Sequence, residues 1–220
     1  MASLMKNVIF VPVPILTDLK KITVNPSARG LIFDLDGTVA DTMPIHFMAY
    51  KNILSKFGID FTPDVFVSMA GISAVGSFTR INEIYGINLD PQEYGMIKEE
   101  EYEKIMHRMK PIEPVVEIIR EYHGRLPMAV GTGGYRRLAW KTLDIIGLSS
   151  FFKILVSSED IAHPKPHPET FLKCAGQMGV DPEFCQVFED GRLGIQAAAT
   201  AGMMVTDVTE YYEVTIGKDM

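Results

Sequence analysis

Short apolar runs that stop abruptly at polar residues most constrain what this chain can fold into. Leu31-Ile32-Phe33 stops at Asp34-Leu35-Asp36-Gly37-Thr38, and Pro127–Val130 at Gly131-Thr132-Gly133-Gly134. Lys153–Val156 stops at Ser157-Ser158-Glu159-Asp160, Gln186–Phe188 at Glu189-Asp190-Gly191, and Met203–Val205 is a fifth run. None alternates apolar with polar residues, which is the pattern of strands covered on both faces in a parallel sheet. Between the runs the spacing predicts helices over Val115–Tyr122, Tyr135–Ile146, Glu169–Met178 and Leu193–Ala201. Strands alternating with helices define an α/β fold on an open parallel sheet.

The rhythm breaks once. Between Thr42 and Lys110 there is no strong strand, but Met43–Phe57 is patterned as a helix ended by Gly58, and Ile97–Met109 as another. A segment this long is no loop. A small helical cap inserted after the first strand is the natural reading. The expected organisation is an N-terminal extension (1–28), an α/β core (29–41 and 111–220) and a helical cap (42–110). The extension, with Val-Pro-Val-Pro then Asp18-Leu-Lys-Lys, reads as an arm or an extra edge strand.

Composition narrows the functional classes. Apolar residues make up 47% of the 220, enough for a sizeable core. A formal net charge of −7 repels duplex nucleic acid and anionic membranes, so neither is expected as a partner. The two cysteines, Cys174 and Cys185, lack ligand-like spacing and read as buried thiols in a reducing compartment. No apolar run approaches the ~20 residues that span a bilayer. The Val8–Leu16 stretch is broken by Pro12 and Pro14 and has no basic start, so no signal peptide is expected. A cytoplasmic monomer is the expectation.

In open α/β sheets, ligands bind outside the carboxyl ends of the strands. Four such ends carry Asp34/Asp36, Thr132, Lys165 and Glu189/Asp190, with Lys165 a few residues beyond its strand. Residues i and i+2 point to the same side, so Asp34 and Asp36 can share one crevice. A carboxylate can attack phosphorus as a nucleophile. It must first approach a dianion, and at ~3 Å with an effective dielectric of ~20 each like-charge pair costs roughly 5 kcal/mol. A hard cation on oxygen ligands offsets that, which points to Mg²⁺, with Asp190 and Glu189 as further acids. No Cys/His cluster suggests zinc. The Gly131–Gly134 turn offers amides and the Thr132 hydroxyl to phosphoryl oxygens. Three prolines, in His163-Pro164-Lys165-Pro166-His167-Pro168, stiffen the backbone around the lysine. Taken singly, each has a plainer reading: a turn with solvated acids, a glycine loop, a solvated lysine.

The ordered set resembles the haloacid dehalogenase superfamily of phosphatases and phosphomutases, from about Leu31 to Val208. The resemblance implies that Asp34 is the nucleophile, forming an aspartyl-phosphate, and that Asp36 is the acid/base. It gives Thr132 and Gly133 to phosphate binding and Lys165 to charge neutralisation. Mg²⁺ would lie on Asp34, the main-chain carbonyl of Asp36, and Asp190, with Glu189 as ligand or support. The cap resembles the small helical type of beta-phosphoglucomutases and sugar-phosphate phosphatases, which implies that His46 and Lys98 face substrate. Without the resemblance, His46 is a structural or solvated helix histidine and Lys98 a solvated partner of Glu99–Glu101.

Mutases of this group carry an arginine soon after a Gly-x-Ser on the cap. Here Gly71-Ile72-Ser73 is followed by Ala74, and the next arginine is Arg80, which could reach in from a shifted position. The resemblance therefore favours a phosphatase acting on a small sugar phosphate, fructose-1-phosphate-like, over a beta-phosphoglucomutase. A receiver-like phospho-acceptor domain also pairs an aspartate with Thr, Lys and Mg²⁺, but lacks the second acid and the cap.

Overall fold

The computed structural model describes residues 21–69, 72–212 and 216. The strands are β1 (Gly30–Phe33), β2 (Ala40–Asp41), β3 (Lys110–Pro111), β4 (Met128–Gly131), β5 (Ile154–Val156), β6 (Cys185–Glu189) and β7 (Met204–Asp207). Five of them form a parallel sheet in the order β5-β4-β1-β6-β7. The chain first builds outward from β1 through β4 to β5, then returns to the other side of β1 for β6 and β7. Such a reversal opens a crevice at the carboxyl ends of the central strands.

Four helices cover the sheet: α5 (Glu113–Tyr122), α6 (Arg136–Ile145), α7 (Glu169–Met178) and α8 (Arg192–Thr200). Alternate strand residues serve opposite faces. Leu31, Phe33, Val130 and Phe188 pack with Val115, Ile119 and Leu143 of α5 and α6. Ile32, Ala129 and Val187 pack with Phe171, Cys174 and Ala197 of α7 and α8. Burial on both faces is why the runs are continuously apolar. The five expected strands and four expected helices are present, with ends shifted by one or two residues.

The segment between β2 and β3 folds as helices α1 (Met43–Leu54), α2 (Pro63–Ser68), α3 (Ala74–Tyr85) and α4 (Pro91–Ile105). The α1 helix runs on as a 3₁₀ turn to Phe57, where Gly58 adopts φ 70°. Asp90 starts α4 by accepting from the amides of Gln92 (2.8 Å) and Glu93 (3.1 Å), with Pro91 at the first helical position. Phe47, Tyr50, Phe61, Phe78 and Ile81 make this segment's own core. A second cluster, with Ile45, Ala49, Tyr102 and Met106, seats it against Leu138 and Ile145 of α6. The crossings into and out of the segment pair with each other, β2 antiparallel to β3, Ala40 opposite Pro111 and Asp41 opposite Lys110.

Residues 1–20 of the expected extension, together with Gly71, lie outside the described residues. From 21 to 28 no strand forms, but the segment is tied down. Ile22 is buried in the α5/α6-side core, the Asn25 amide donates to Gln186 Oε1 (2.7 Å), and Gln186 Nε2 donates to the Thr23 carbonyl (3.1 Å). Past β7, the Tyr212 hydroxyl donates to the Gly37 carbonyl, and Ile216 packs on the helical segment's core. Among the described residues no helix is long and apolar enough to cross a membrane.

Candidate active site

The β1 ladder extends one residue past the strand, the Asp34 amide donating to the Phe188 carbonyl at 3.0 Å. That fixes Asp34 beside the end of β6, where Glu189 and Asp190 emerge. Lys165 reaches in from the loop before α7, donating to Asp34 Oδ1 (2.6 Å) and Glu189 Oε1 (2.8 Å). Its ammonium lies over the Phe171 ring, whose centre is 4.6 Å from Nζ. Glu189 Oε2 accepts from the Gly191 amide (2.6 Å), and Asp190 Oδ1 from the Thr38 hydroxyl (2.8 Å).

Carboxylate oxygens of Asp34, Glu189 and Asp190 lie within 4.8 Å of one another. Three carboxylates against one ammonium leave excess negative charge in a buried place. Like charges at 4.8 Å repel by roughly 3 kcal/mol at an effective dielectric of ~20. Burial, together with these neighbours, pushes the Asp34 carboxyl well above its ordinary range and that of Asp190 up to about 7. Burial alone would lower the Lys165 ammonium, but Asp34 and Glu189 more than reverse this, so it stays charged. An all-oxygen donor set with surplus negative charge fits a hard divalent cation such as Mg²⁺.

Asp36 faces a different environment. Its Oδ2 accepts from the Thr132 hydroxyl at a long 3.4 Å, and its Oδ1 lies 3.9 Å from His46 Nε2 on α1. Thr132 follows β4, its amide donating to the Val156 carbonyl (2.9 Å) and its hydroxyl accepting from the Gly134 amide (2.9 Å). Burial would raise the Asp36 carboxyl, yet the contact with and charge of His46 hold it below the ordinary value. His46 is lowered by burial and by the Lys98 charge. Lys98 Nζ sits 2.8 Å from His46 Nδ1 and 3.0 Å from Glu99 Oε1, and Tyr102 stacks on the imidazole with ring centres 4.2 Å apart.

A cavity of about 890 Å³ lies between the helical segment and the sheet, lined among others by Asp36, His46, Glu99, Tyr102, Gly133 and Arg137. The structure thus brings Asp34, Asp36, Thr132, Lys165, Glu189 and Asp190 together, sets His46 and Lys98 beside Asp36, and places Gly133 on the cavity wall. Lys98 is not a solvated lysine. It is buried, although it does pair with Glu99. Arg80 does not reach the cavity from a shifted position: it is half exposed and pairs with Glu83 at 2.8 Å. Sequence reasoning missed the roles of Thr38 and Tyr102. Nothing in the chain near Tyr102 marks its stacking on His46, which lies 56 positions away.

Residues 31–208 match the haloacid dehalogenase-like hydrolase family. Fructose-1-phosphate phosphatase YqaB of Escherichia coli is 39% identical over 180 residues, covering 81% of this chain and 95% of that protein. Beta-phosphoglucomutase of Bacillus subtilis is 30% identical, over 82% of this chain and 83% of the other. The solved beta-phosphoglucomutase of Clostridium difficile superposes with a TM-score of 0.65 at 25% identity, over 81% of this chain and 83% of its own. The chain belongs to the haloacid dehalogenase-like hydrolases. Within that family it is an enzyme of the phosphoric monoester hydrolase class.

Proposed function

We propose that the protein is a Mg²⁺-dependent phosphatase that hydrolyses a small sugar phosphate, fructose-1-phosphate-like in type, through an aspartyl-phosphate. The observation that carries this reading is the separation of the two aspartates. Asp34 is bonded to Lys165 among the other acids, while Asp36, two residues on, is turned to Thr132 and His46. An Asp34 oxygen attacks phosphorus, the bond to the sugar oxygen breaks, and Asp36 gives its proton to that oxygen. Asp36 then takes a proton from the water that attacks the aspartyl-phosphate, which releases inorganic phosphate and restores Asp34.

The lowered carboxyl of Asp36 suits the second half, where it acts as base. The negative charge of a bound phosphate pushes it the other way, towards the protonated form that the first half needs. Thr132 and the backbone at Gly133 hold phosphoryl oxygens, and Lys165 balances the charge on nucleophile and phosphate. Mg²⁺ would be held by Asp34, Asp190 and the main-chain carbonyl of Asp36, with Glu189 beside them, and would stabilise charge on the transferring group. His46 and Lys98 meet the substrate from the helical side, and we take that cap to span 42–110, pivoting at β2–β3.

Hydrolysis is favoured over isomerisation by the cations of the cavity. A mutase must grip a second phosphate. Arg137 is already bound through both nitrogens to Glu103 (2.6 and 2.8 Å), and Arg80 pairs with Glu83 away from the cavity. The acidic chain disfavours nucleic-acid and anionic-membrane partners, its two buried, free thiols suit a cytoplasmic setting, and we take it to act as a monomer.

The test is a panel of sugar phosphates with Mg²⁺, with and without a chelator. Free phosphate from fructose 1-phosphate or hexose 1-phosphates, lost on chelation and in Asp34→Asn, is the expected result. Glucose 6-phosphate formed from beta-glucose 1-phosphate with little phosphate released would identify a mutase instead. An Asp34→Asn protein with wild-type turnover would refute the assigned nucleophile.

A further inference from the structure

The loop that delivers Lys165 carries a second group of donor atoms on its outer side. His163, His167 and Glu169 each offer one ligand atom, and the three atoms lie within 4.8 Å of one another. The two imidazole ring centres are 4.7 Å apart, and His163 Nδ1 is 3.1 Å from Glu169 Oε2. None of the three enters the reaction described above, and their proximity corrects the expectation, drawn from the sequence, that the chain holds no histidine cluster suited to zinc.

We propose that His163, His167 and Glu169 form a second metal site, one for a borderline divalent cation such as Zn²⁺. Two imidazoles and one carboxylate are the donors such ions prefer, whereas Mg²⁺ selects oxygen alone. The site is therefore chemically distinct from the Asp34, Glu189 and Asp190 group, and the two can fill independently. Three protein ligands leave a fourth, open position. An open hollow bounded by Asp160, His167, Glu169 and Lys173 has room there for a water.

The donors are held in advance of binding. Glu169 Oε1 is fixed by the Ala162 amide (3.1 Å) and Lys173 Nζ (2.8 Å), which leaves Oε2 turned to the His163 ring. The His163 amide also donates to Oε2, at 3.0 Å. Pro164, Pro166 and Pro168 restrict the backbone between the ligands, so little ordering entropy remains to be lost. The cation takes the place of the hydrogen between His163 Nδ1 and Glu169 Oε2, the ring carrying its proton on Nε2 instead. The side chain of His163 is 66% exposed, which gives the ion a direct path from solvent.

The test titrates Zn²⁺ into the full chain in excess Mg²⁺, by calorimetry and by metal analysis after dialysis. One Zn²⁺ per chain is expected for the native protein, with Co²⁺ at the same site giving the absorption bands of a nitrogen-ligated ion. Outer partners of metal ligands already affect affinity by about 10–100-fold, so His163→Ala and His167→Ala should each weaken Zn²⁺ binding by about tenfold or more. Asp190→Asn should keep it. Both histidine variants should melt at the native temperature without Zn²⁺, which separates lost binding from lost folding. Equal Zn²⁺ uptake by the histidine variants, loss of uptake in Asp190→Asn, or no stoichiometric Zn²⁺ on the native chain would each overturn the proposal.

Discussion

A Cβ placed on Gly194 would overlap the Glu189 carboxylate, and one on Gly37 would overlap that of Asp190. Two bare backbone positions therefore make the room in which two of the acids sit, and Gly37 also holds φ at 86°, where a side chain is strained. Gly194→Ala forces Glu189 off Lys165 and the Gly191 amide. The expected cost is about 1–3 kcal/mol of stability, as for other overpacked sites. A fall in kcat of more than about tenfold should accompany it, since sub-ångström placement of charged groups governs the rate. Melting curves and kinetics at saturating Mg²⁺ check this, and an unchanged kcat would argue that Glu189 does not act through Lys165. At this scale the sequence showed the residues that close an apolar run, because a strand end and its chemistry are adjacent in the chain. Thr38 and Tyr102 were hidden because each matters only through a partner distant in sequence, Asp190 and the His46 ring.

Elements differ in how much of their cause is local. The α4 helix begins with Asp90 and Pro91, both legible, and Asp90→Ala removes two amide partners at once. A loss of about 1 kcal/mol is expected, read as a lower melting temperature with kcat unchanged, because Lys98 lies beyond that first turn. The sheet strands were equally open to reading, since burial on both faces writes itself as an unbroken apolar run. Helix α3 was not foreseen. Gly76, Ser77, Thr79 and Asn82 are weak helix formers, and the element is held instead by its buried Phe78 and Ile81 and the Ser73 cap at 3.2 Å. Strands β2 and β3 have two residues each, too few for any periodicity, and exist because they meet each other.

For the molecule as a whole, burial makes its thiols inert. It pushes Cys174 up to about 12 and Cys185 up to about 11, so almost no thiolate is present at pH 8. Ellman's reagent should leave both untouched in the native protein and titrate both in denaturant; rapid native reaction would contradict the burial of Cys174 on α7 and Cys185 on β6. A second consequence concerns how the chemistry is shared. Asp34, Lys165, Glu189 and Asp190 all belong to the sheet side, while His46 and Lys98 belong to the helices beyond β2 and β3. Both crossings between them run through one short ladder, Ala40 opposite Pro111 and Asp41 opposite Lys110. Asp36 therefore has its imidazole companion across that ladder, while the attacking group and its lysine are both on the sheet side. The arrangement divides the work as a lock is divided between jamb and door: the attacker and its lysine sit on one side, and the imidazole that sets the proton affinity of Asp36 is carried by the other.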